Sequence, residues 1–216
     1  MNELFFFIHI AVLLLAVSFF SKFGKSGLAS IFVLQSIFAN LFILKQTTLF
    51  GLVVTTTDCY TIGSFITLNM IREIYGKEAS DKTILIGLCS ILFLPFMSFF
   101  LLAYEPLAEG VSVNQLYQNL LTPSFRIFLV SLLCMFTFQK LDTYLFSKLR
   151  NTLSLQSSMF ISLSITQFLD TFFFTYGALS GLIENLAHIV FFSYLIKLIT
   201  ISAMTPMTKA MLRRSS

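Results

Sequence analysis

Apolar runs of about helix-spanning length repeat along the whole chain, broken by short polar or charged stretches. A bilayer core takes roughly 20 apolar residues of helix. Seven runs qualify: Asn2–Ser21, Gly27–Lys45, Thr57–Tyr75, Lys82–Tyr104, Pro123–Phe146, Leu155–Ala178 and Ile183–Thr205. The pattern predicts an all-α polytopic membrane protein, a single integral domain over residues 1–216. The third run is the least apolar, because Asp58, Thr61, Gly63, Thr67 and Asn69 interrupt it. Gly76 reads as its helix stop. Arg72, Glu73, Lys77, Glu78, Asp81 and Lys82 make the densest charge run, and its part from Lys77 to Lys82 reads as a solvated turn into the fourth span.

The connections carry local signals of their own. The segment Gln46–Asp58 is short, β-branched and Gly-containing, and predicts a small hairpin or a re-entrant loop covered by protein. Pro95 predicts a kink in the fourth span. Val113, Leu116, Tyr117 and Leu120 share one helical face, which predicts a short interfacial helix capped by Ser112. Thr122-Pro123 predicts the start of the fifth span, with Pro at the first helical position, and Pro206 predicts the exit of the seventh.

Composition fixes the class. The 216 residues are 56% hydrophobic and 11% charged, with 27 Phe and no Trp; soluble domains carry about 25% charged residues. Net charge is +4, and its placement matters more than its size. With the C-terminus inside, Lys22, Lys25, Arg72, Lys77, Lys82, Lys148, Arg150, Lys209, Arg213 and Arg214 fall on the inner side, against Lys45 and Arg126 on the outer. That bias predicts seven spans, N-terminus out and C-terminus in. Glu3 before the first run and Lys22 and Lys25 after it reverse the charge order of a signal peptide, so the run reads as a retained anchor. Cys59, Cys89 and Cys134 read as small hydrophobes. No phosphate-binding loop, metalloprotease motif, nucleophile elbow or metal-spaced Cys–His pair occurs. The chain therefore reads as non-enzymatic, with no cofactor, no metal and no nucleic-acid partner.

Charge inside a bilayer is costly and seldom incidental. Asp170 and Gln167 interrupt the Phe-rich sixth run, while His188 and Lys197 lie in the seventh, Asn40 in the second, and Asn69 and Glu73 on one face of the third. Counting about 1.5 Å per residue from each helix end puts His188 closer in depth to Asp170 than Lys197 is. An outer cluster of Asn40, Gln167, Asp170 and His188 follows, and an inner cluster of Asn69, Glu73 and Lys197. For each, a structural reading stands beside the functional one: Asp170 as an ion-pair partner, Lys197 as a paired or snorkelling cation. Asp142 and Lys140 read as an ion pair at the inner boundary.

Several short patterns carry a resemblance. They are Asn40 with Lys45 and Leu49-Phe50-Gly51; Glu73, Tyr75, Gly76, Lys77 and Ala79, preceded by Asn69 where Asp is usual; Leu141-Asp142, Phe146 and Leu149-Arg150; Asp170-Thr171 with Phe174, and Gln167 where Asn is common; and Tyr194, Lys197 and Pro206. Together they resemble the queuosine-precursor transporter family, the VUT group of bacterial membrane proteins. The resemblance implies a six-helix transporter core over residues 27–206, with residues 1–21 an extra span that bears no chemistry. It implies a bacterial inner-membrane protein that takes up deazaguanine bases or queuine. Asp170, Gln167, Asn40, Asn69, Glu73, His188 and Lys197 are the candidate substrate-binding residues. A carboxylate at Asp170 would accept from the adjacent ring N–H and amine of a guanine-like base, with Phe172, Phe173 or Tyr176 against its face. A substrate-binding subunit of a larger uptake complex, or a membrane scaffold, remains the alternative. The bilayer is a partner in each case, and self-association or an energising subunit is left open.

Overall fold

The computed structural model describes residues 1–43, 45–121, 125–181 and 186–215. Its order is α1 (Asn2–Ser21), α2 (Gly24–Leu41), β1 (Gln46–Leu49), β2 (Leu52–Thr55), α3 (Asp58–Ala103), a 3-10 turn (Ala108–Gly110), α4 (Val111–Leu121), α5 (Phe125–Arg150), α6 (Leu155–Leu179) and α7 (Leu186–Ser215). This is an all-α membrane architecture with one small hairpin.

Helix α3 has 46 residues. A straight helix of that length would reach ~69 Å, far more than a bilayer core of about 30 Å. It is broken at Gly76, whose φ of 82° and ψ of −177° are non-helical, a conformation open to glycine alone. The two arms, 58–75 and 77–103, are therefore distinct helices joined at Gly76. No such break occurs at Pro95, which lies inside the second arm. The first arm is buried on nearly every side from Asp58 to Ile71. That explains its polar content: protein, not lipid, surrounds it. The second arm instead exposes Leu92, Phe93, Phe96, Phe99 and Phe100, which fits an acyl-chain environment.

Four helices among the described residues are long and apolar enough to span by themselves: α1, α3, α5 over Leu129–Arg150 and α7 over Leu186–Pro206. Helices α2 and α6 carry more Ser, Thr, Gln and Asp and face neighbours. Helix α3 packs on α2, α5 and α7, and α6 packs between α5 and α7. Glycines bring α2 close to α3. A Cβ on Gly63 would sit 3.1 Å from Gln35, and one on Gly87 would sit 2.5 Å from the Phe32 ring, the small-residue packing usual within membranes. Ser154 caps α6, its hydroxyl accepting from the Ser157 N–H at 3.2 Å.

Segment 46–55 forms the hairpin alternative. Gln46 pairs with Thr55 and Leu49 with Leu52, across Phe50 and Gly51, both at positive φ, as a two-residue hairpin turn of this kind requires. The Asn2 amide donates to the Thr48 carbonyl at 3.0 Å, and the Phe50 N–H donates to Glu3 Oε1 at 3.2 Å. So α1, predicted to be a bare anchor, also holds the hairpin. Helix α4 starts one residue before Ser112, after the 3-10 turn, so Ser112 is inside it and not its cap; none of its residues is buried. Pro206 does not end α7, which runs on to Ser215; the Gln156 amide donates to the Pro206 carbonyl at 2.9 Å. The predicted Thr122-Pro123 start of the fifth span and Ile183 start of the seventh lie outside the described residues.

Candidate functional site

The C-terminal halves of α2 and α6 and the N-terminal halves of α3, α5 and α7 meet at the hairpin end. Between them lies a cavity of about 140 Å³. Asn40, Asp58, Ser131, Gln139, Asp170 and Lys197 are among its polar lining; Phe65, Met135 and Phe174 supply apolar surface.

Lys197 is the centre of charge. Its Nζ donates to Asp170 Oδ2 at 2.9 Å and lies 3.9 Å from Asp58 Oδ1. Lys197 is 5% exposed and Asp58 6%. Two carboxylates thus face one ammonium in a nearly dry site. Asp58 stands at the first turn of α3, where the helix dipole favours a negative group, and its Oδ2 has no hydrogen-bond partner among the described residues. Nearby, Ser131 donates to Asn40 Oδ1 at 2.5 Å, while neither the oxygen nor the nitrogen of the Gln139 amide has a protein partner. Among the described residues these groups leave hydrogen-bonding capacity unused, as does the Gln167 amide away from the cavity.

The predicted outer cluster is partly assembled. Asp170 and Asn40 line the cavity; Gln167 does not, being fully buried in the layer beneath it. His188 is exposed and rests edge-on against Phe192. The helix turns about 100° per residue, so His188 and Lys197, nine apart, point to opposite sides, and only Lys197 points inward. Ser193 and Ile189, four and eight residues before Lys197, line the cavity with it. The depth count misplaced Lys197, whose Nζ meets Asp170 directly at 2.9 Å, so the two lie level with each other.

The predicted inner cluster does not form. Asn69 Nδ2 donates to Asp142 Oδ2 at 2.7 Å, and Glu73 pairs with Arg150 at 2.9 Å, both far along α3 from Lys197. Asp142 and Lys140 do not pair either. Residues two apart lie about 200° round a helix, and Lys140 instead reaches Asp81 at 2.8 Å. Phe172, Phe173 and Tyr176 are exposed; Phe174 and Phe65 line the cavity instead. Asp58 and Gln139 were missed as site residues. A signal was present: Asp58 and Asn69 are eleven apart, three helical turns, and so share a face.

At the Gly76 end Arg72 Nε donates to Ser147 Oγ at 2.8 Å and Nη1 reaches Ser80 Oγ at 3.5 Å. On the exposed turn beyond it Lys82 bonds Glu78 at 2.8 Å. That bond holds the Glu78 carboxyl below and the Lys82 ammonium above their ordinary ranges.

Buried acid–base groups facing a cavity at the centre of a helical membrane bundle are what a small-molecule transporter requires. The comparisons agree. The sequence profile of the family described as putative vitamin uptake transporter matches residues 58–211, and the chain belongs to that family. It is 29% identical over 202 residues to a probable queuosine precursor transporter from Bacillus subtilis (strain 168), covering 91% of this chain and 88% of that one. No solved structure matches it significantly. The protein is thus a multi-pass membrane transporter of this family.

Proposed function

We propose that this chain is a bacterial plasma-membrane uptake transporter for queuosine precursors, deazaguanine bases or queuine. The observation that carries the reading is the cavity beside Asp58, Lys197 and Asp170. An apolar protein cavity of about 150 Å³ accepts benzene, so one of about 140 Å³ takes one aromatic ring, and a bicyclic base would enter it in part or widen it. A guanine-like base presents a ring N–H and an exocyclic amine side by side, and a carboxylate can accept from both. Asp170 is one such acceptor, held by Lys197. The free Oδ2 of Asp58 is another. Gln139 and Asn40 would read the remaining edge, and Phe65 and Phe174 line the same cavity. Gln167 and Asn69 belong to the layer below, and Glu73 to the far end.

The proposed topology is seven spans, counting the arms of α3 separately, with the N-terminus outside and the C-terminus inside. It puts the hairpin end and its cavity outside, and Arg72, Lys77, Lys82, Lys148 and Arg150 inside. Residues 1–21 are then the span added to a six-helix core.

The test is uptake of a labelled deazaguanine precursor by cells that cannot synthesise it, with and without this protein, read as queuosine appearing in tRNA. We expect restoration that depends on the protein. Equal labelling in both strains, with the protein present in the membrane, would refute the assignment.

A further inference from the structure

Asp142 is the one buried carboxylate that the cavity does not explain. It is 0% exposed, and among the described residues no cation lies within ion-pair distance of it. Of the charged groups on the elements packed around it, Lys77 on α3 and Lys148 on α5 lie within ion-pair distance of no carboxylate among the described residues, and Lys82 pairs with Glu78; the others are held as follows. On α3, Arg72 bonds Ser147 and Ser80, Glu73 bonds Arg150, Asp81 bonds Lys140 and Asp58 lies by Lys197. On α6, Asp170 bonds Lys197. On α5 itself, Cys134 is on the cavity wall, Lys140 and Arg150 are paired as above, and Tyr144 is exposed.

Its hydrogen bonds show what it holds instead. Asp142 Oδ2 accepts from Asn69 Nδ2 at 2.7 Å. Its Oδ1 lies 3.3 Å from Thr166 Oγ1, which is also 2.8 Å from the Ser162 carbonyl. A hydroxyl has a single proton, and the shorter contact to a carbonyl, which can only accept, takes it. Asp142 Oδ1 is left with only a long, shared contact to that donor at 3.3 Å, so one oxygen of the carboxyl is weakly held. An ionised carboxylate with only neutral partners in a dry interior is strongly disfavoured, and the hydrogen-bond partners of Asp142 are neutral donors, Asn69 and Thr166.

We propose that Asp142 is a proton-binding site that couples transport to the proton gradient. The inference rests on the transporter reading. Gln139, one turn from Asp142 on α5, is on the cavity wall with its amide unpartnered, and gives the proton its way in. On the other side Thr143, Ser147 and Arg72 form a polar row: Ser147 donates to the Thr143 carbonyl at 2.7 Å, and Arg72 donates to Ser147. In each cycle an O–H bond forms at Asp142 from the cavity side. It breaks toward the Arg72 side, the carboxylate is regenerated, and one proton has moved with the substrate. A metal cation fits the site poorly, since the Asn69 nitrogen, a donor, occupies the Oδ2 side.

The experiment uses the purified full chain in proteoliposomes with a trapped pH dye and a radiolabelled 7-deazaguanine precursor base. For the wild type we expect accumulation to rise about tenfold or more under an outside-acid gradient, with internal acidification that requires substrate, and no response to a sodium gradient. Asp142→Asn, which mimics the protonated form, should keep base exchange within about threefold of wild type but lose the response to the gradient. It should also remove a protonated-carboxyl band from the infrared spectrum at neutral pH. Asn69→Asp serves if Asp142→Asn fails to insert. Two carboxylates in contact share one proton more tightly, so half-maximal uptake should move to higher outside pH by about one unit or more. Wild-type exchange indifferent to the proton gradient, driving by sodium instead, a gradient response surviving in Asp142→Asn, or an unmoved pH profile in Asn69→Asp each overturns the inference while leaving transport intact. Absence of any base exchange by the wild type overturns the transport reading and this inference together.

Discussion

The two ends of the bundle are built on different rules. At the hairpin end, groups that should be partnered are left with spare capacity: one oxygen of Asp58, the whole amide of Gln139, a single ammonium for two carboxylates. At the Gly76 end, charges are tied from helix to helix: Arg150 to Glu73 at 2.9 Å and Lys140 to Asp81 at 2.8 Å, with Arg72 on Ser147. A carrier that exposes its site to one side at a time needs this inequality, one end receptive and the other latched. The latches are half-exposed ion pairs, each worth about 0–1 kcal/mol, so they are weak enough to exchange. The receptive end holds the energetically expensive groups.

The largest test of the difference is Lys197→Met. It leaves Asp58 and Asp170 buried without a cation, and breaking a buried pair costs about 3–5 kcal/mol. We expect a marked fall in thermal stability in detergent together with loss of precursor binding; a variant as stable as wild type would mean that Lys197 does not organise this end.

Asp170→Asn is gentler. The side chain keeps its size, but an acceptor oxygen becomes a donor amide, leaving a substrate N–H unpaired at about 1–3 kcal/mol. Equilibrium binding should weaken at least about tenfold in a protein that still inserts and folds. Near-normal affinity would leave Asp170 as the partner of Lys197 and no more.

At the latched end Glu73→Gln should change stability by less than about 1 kcal/mol and leave affinity alone. Its effect should fall on turnover, measured as uptake rate at saturating substrate. A drop in affinity with turnover unchanged would contradict the division between the two ends.

The smallest effect belongs to His188→Ala. An exposed side chain away from the site changes stability by no more than about 0.5 kcal/mol, and uptake should match wild type. A tenfold loss would place His188 in the site after all.

How the sequence announced these ends differs from element to element. That the chain is helical, and in what order its long helices follow, was legible, because about twenty apolar residues mean much the same wherever they occur in a membrane chain; where α7 stops was not. The Gly76 break and the 46–55 hairpin were legible from glycine and β-branched residues. Which face of each helix turns inward was not. Lipid is as apolar as the protein core, so Phe168, Phe172 and Phe173, facing out, read like Phe174, facing in. Polar residues were the remaining guide, and they served where spacing was respected: Asn69 and Glu73 do share a face, toward α5. They misled where depth alone was used, as with His188. Asp58 looked like an interruption at a span's edge because only the packed bundle shows that α3 begins inside the protein.

Arg126, finally, bears on how the chain enters a membrane. It is one of the two basic residues on the outer side in the proposed topology, and its guanidinium does not stand free. Nε donates to the Gly177 carbonyl at 2.8 Å, Nη1 to the Ser180 carbonyl at 2.9 Å, and Nη2 to the Ser180 hydroxyl. These carbonyls belong to the end of α6, the negative pole of its dipole. The translocated charge is thereby matched by the end of the next helix to be synthesised. Helices α5 and α6 consequently suit insertion as one antiparallel pair. The translocation machinery would then handle a neutralised hairpin, where a fifth span inserted alone would carry its arginine across uncompensated until its partner arrived.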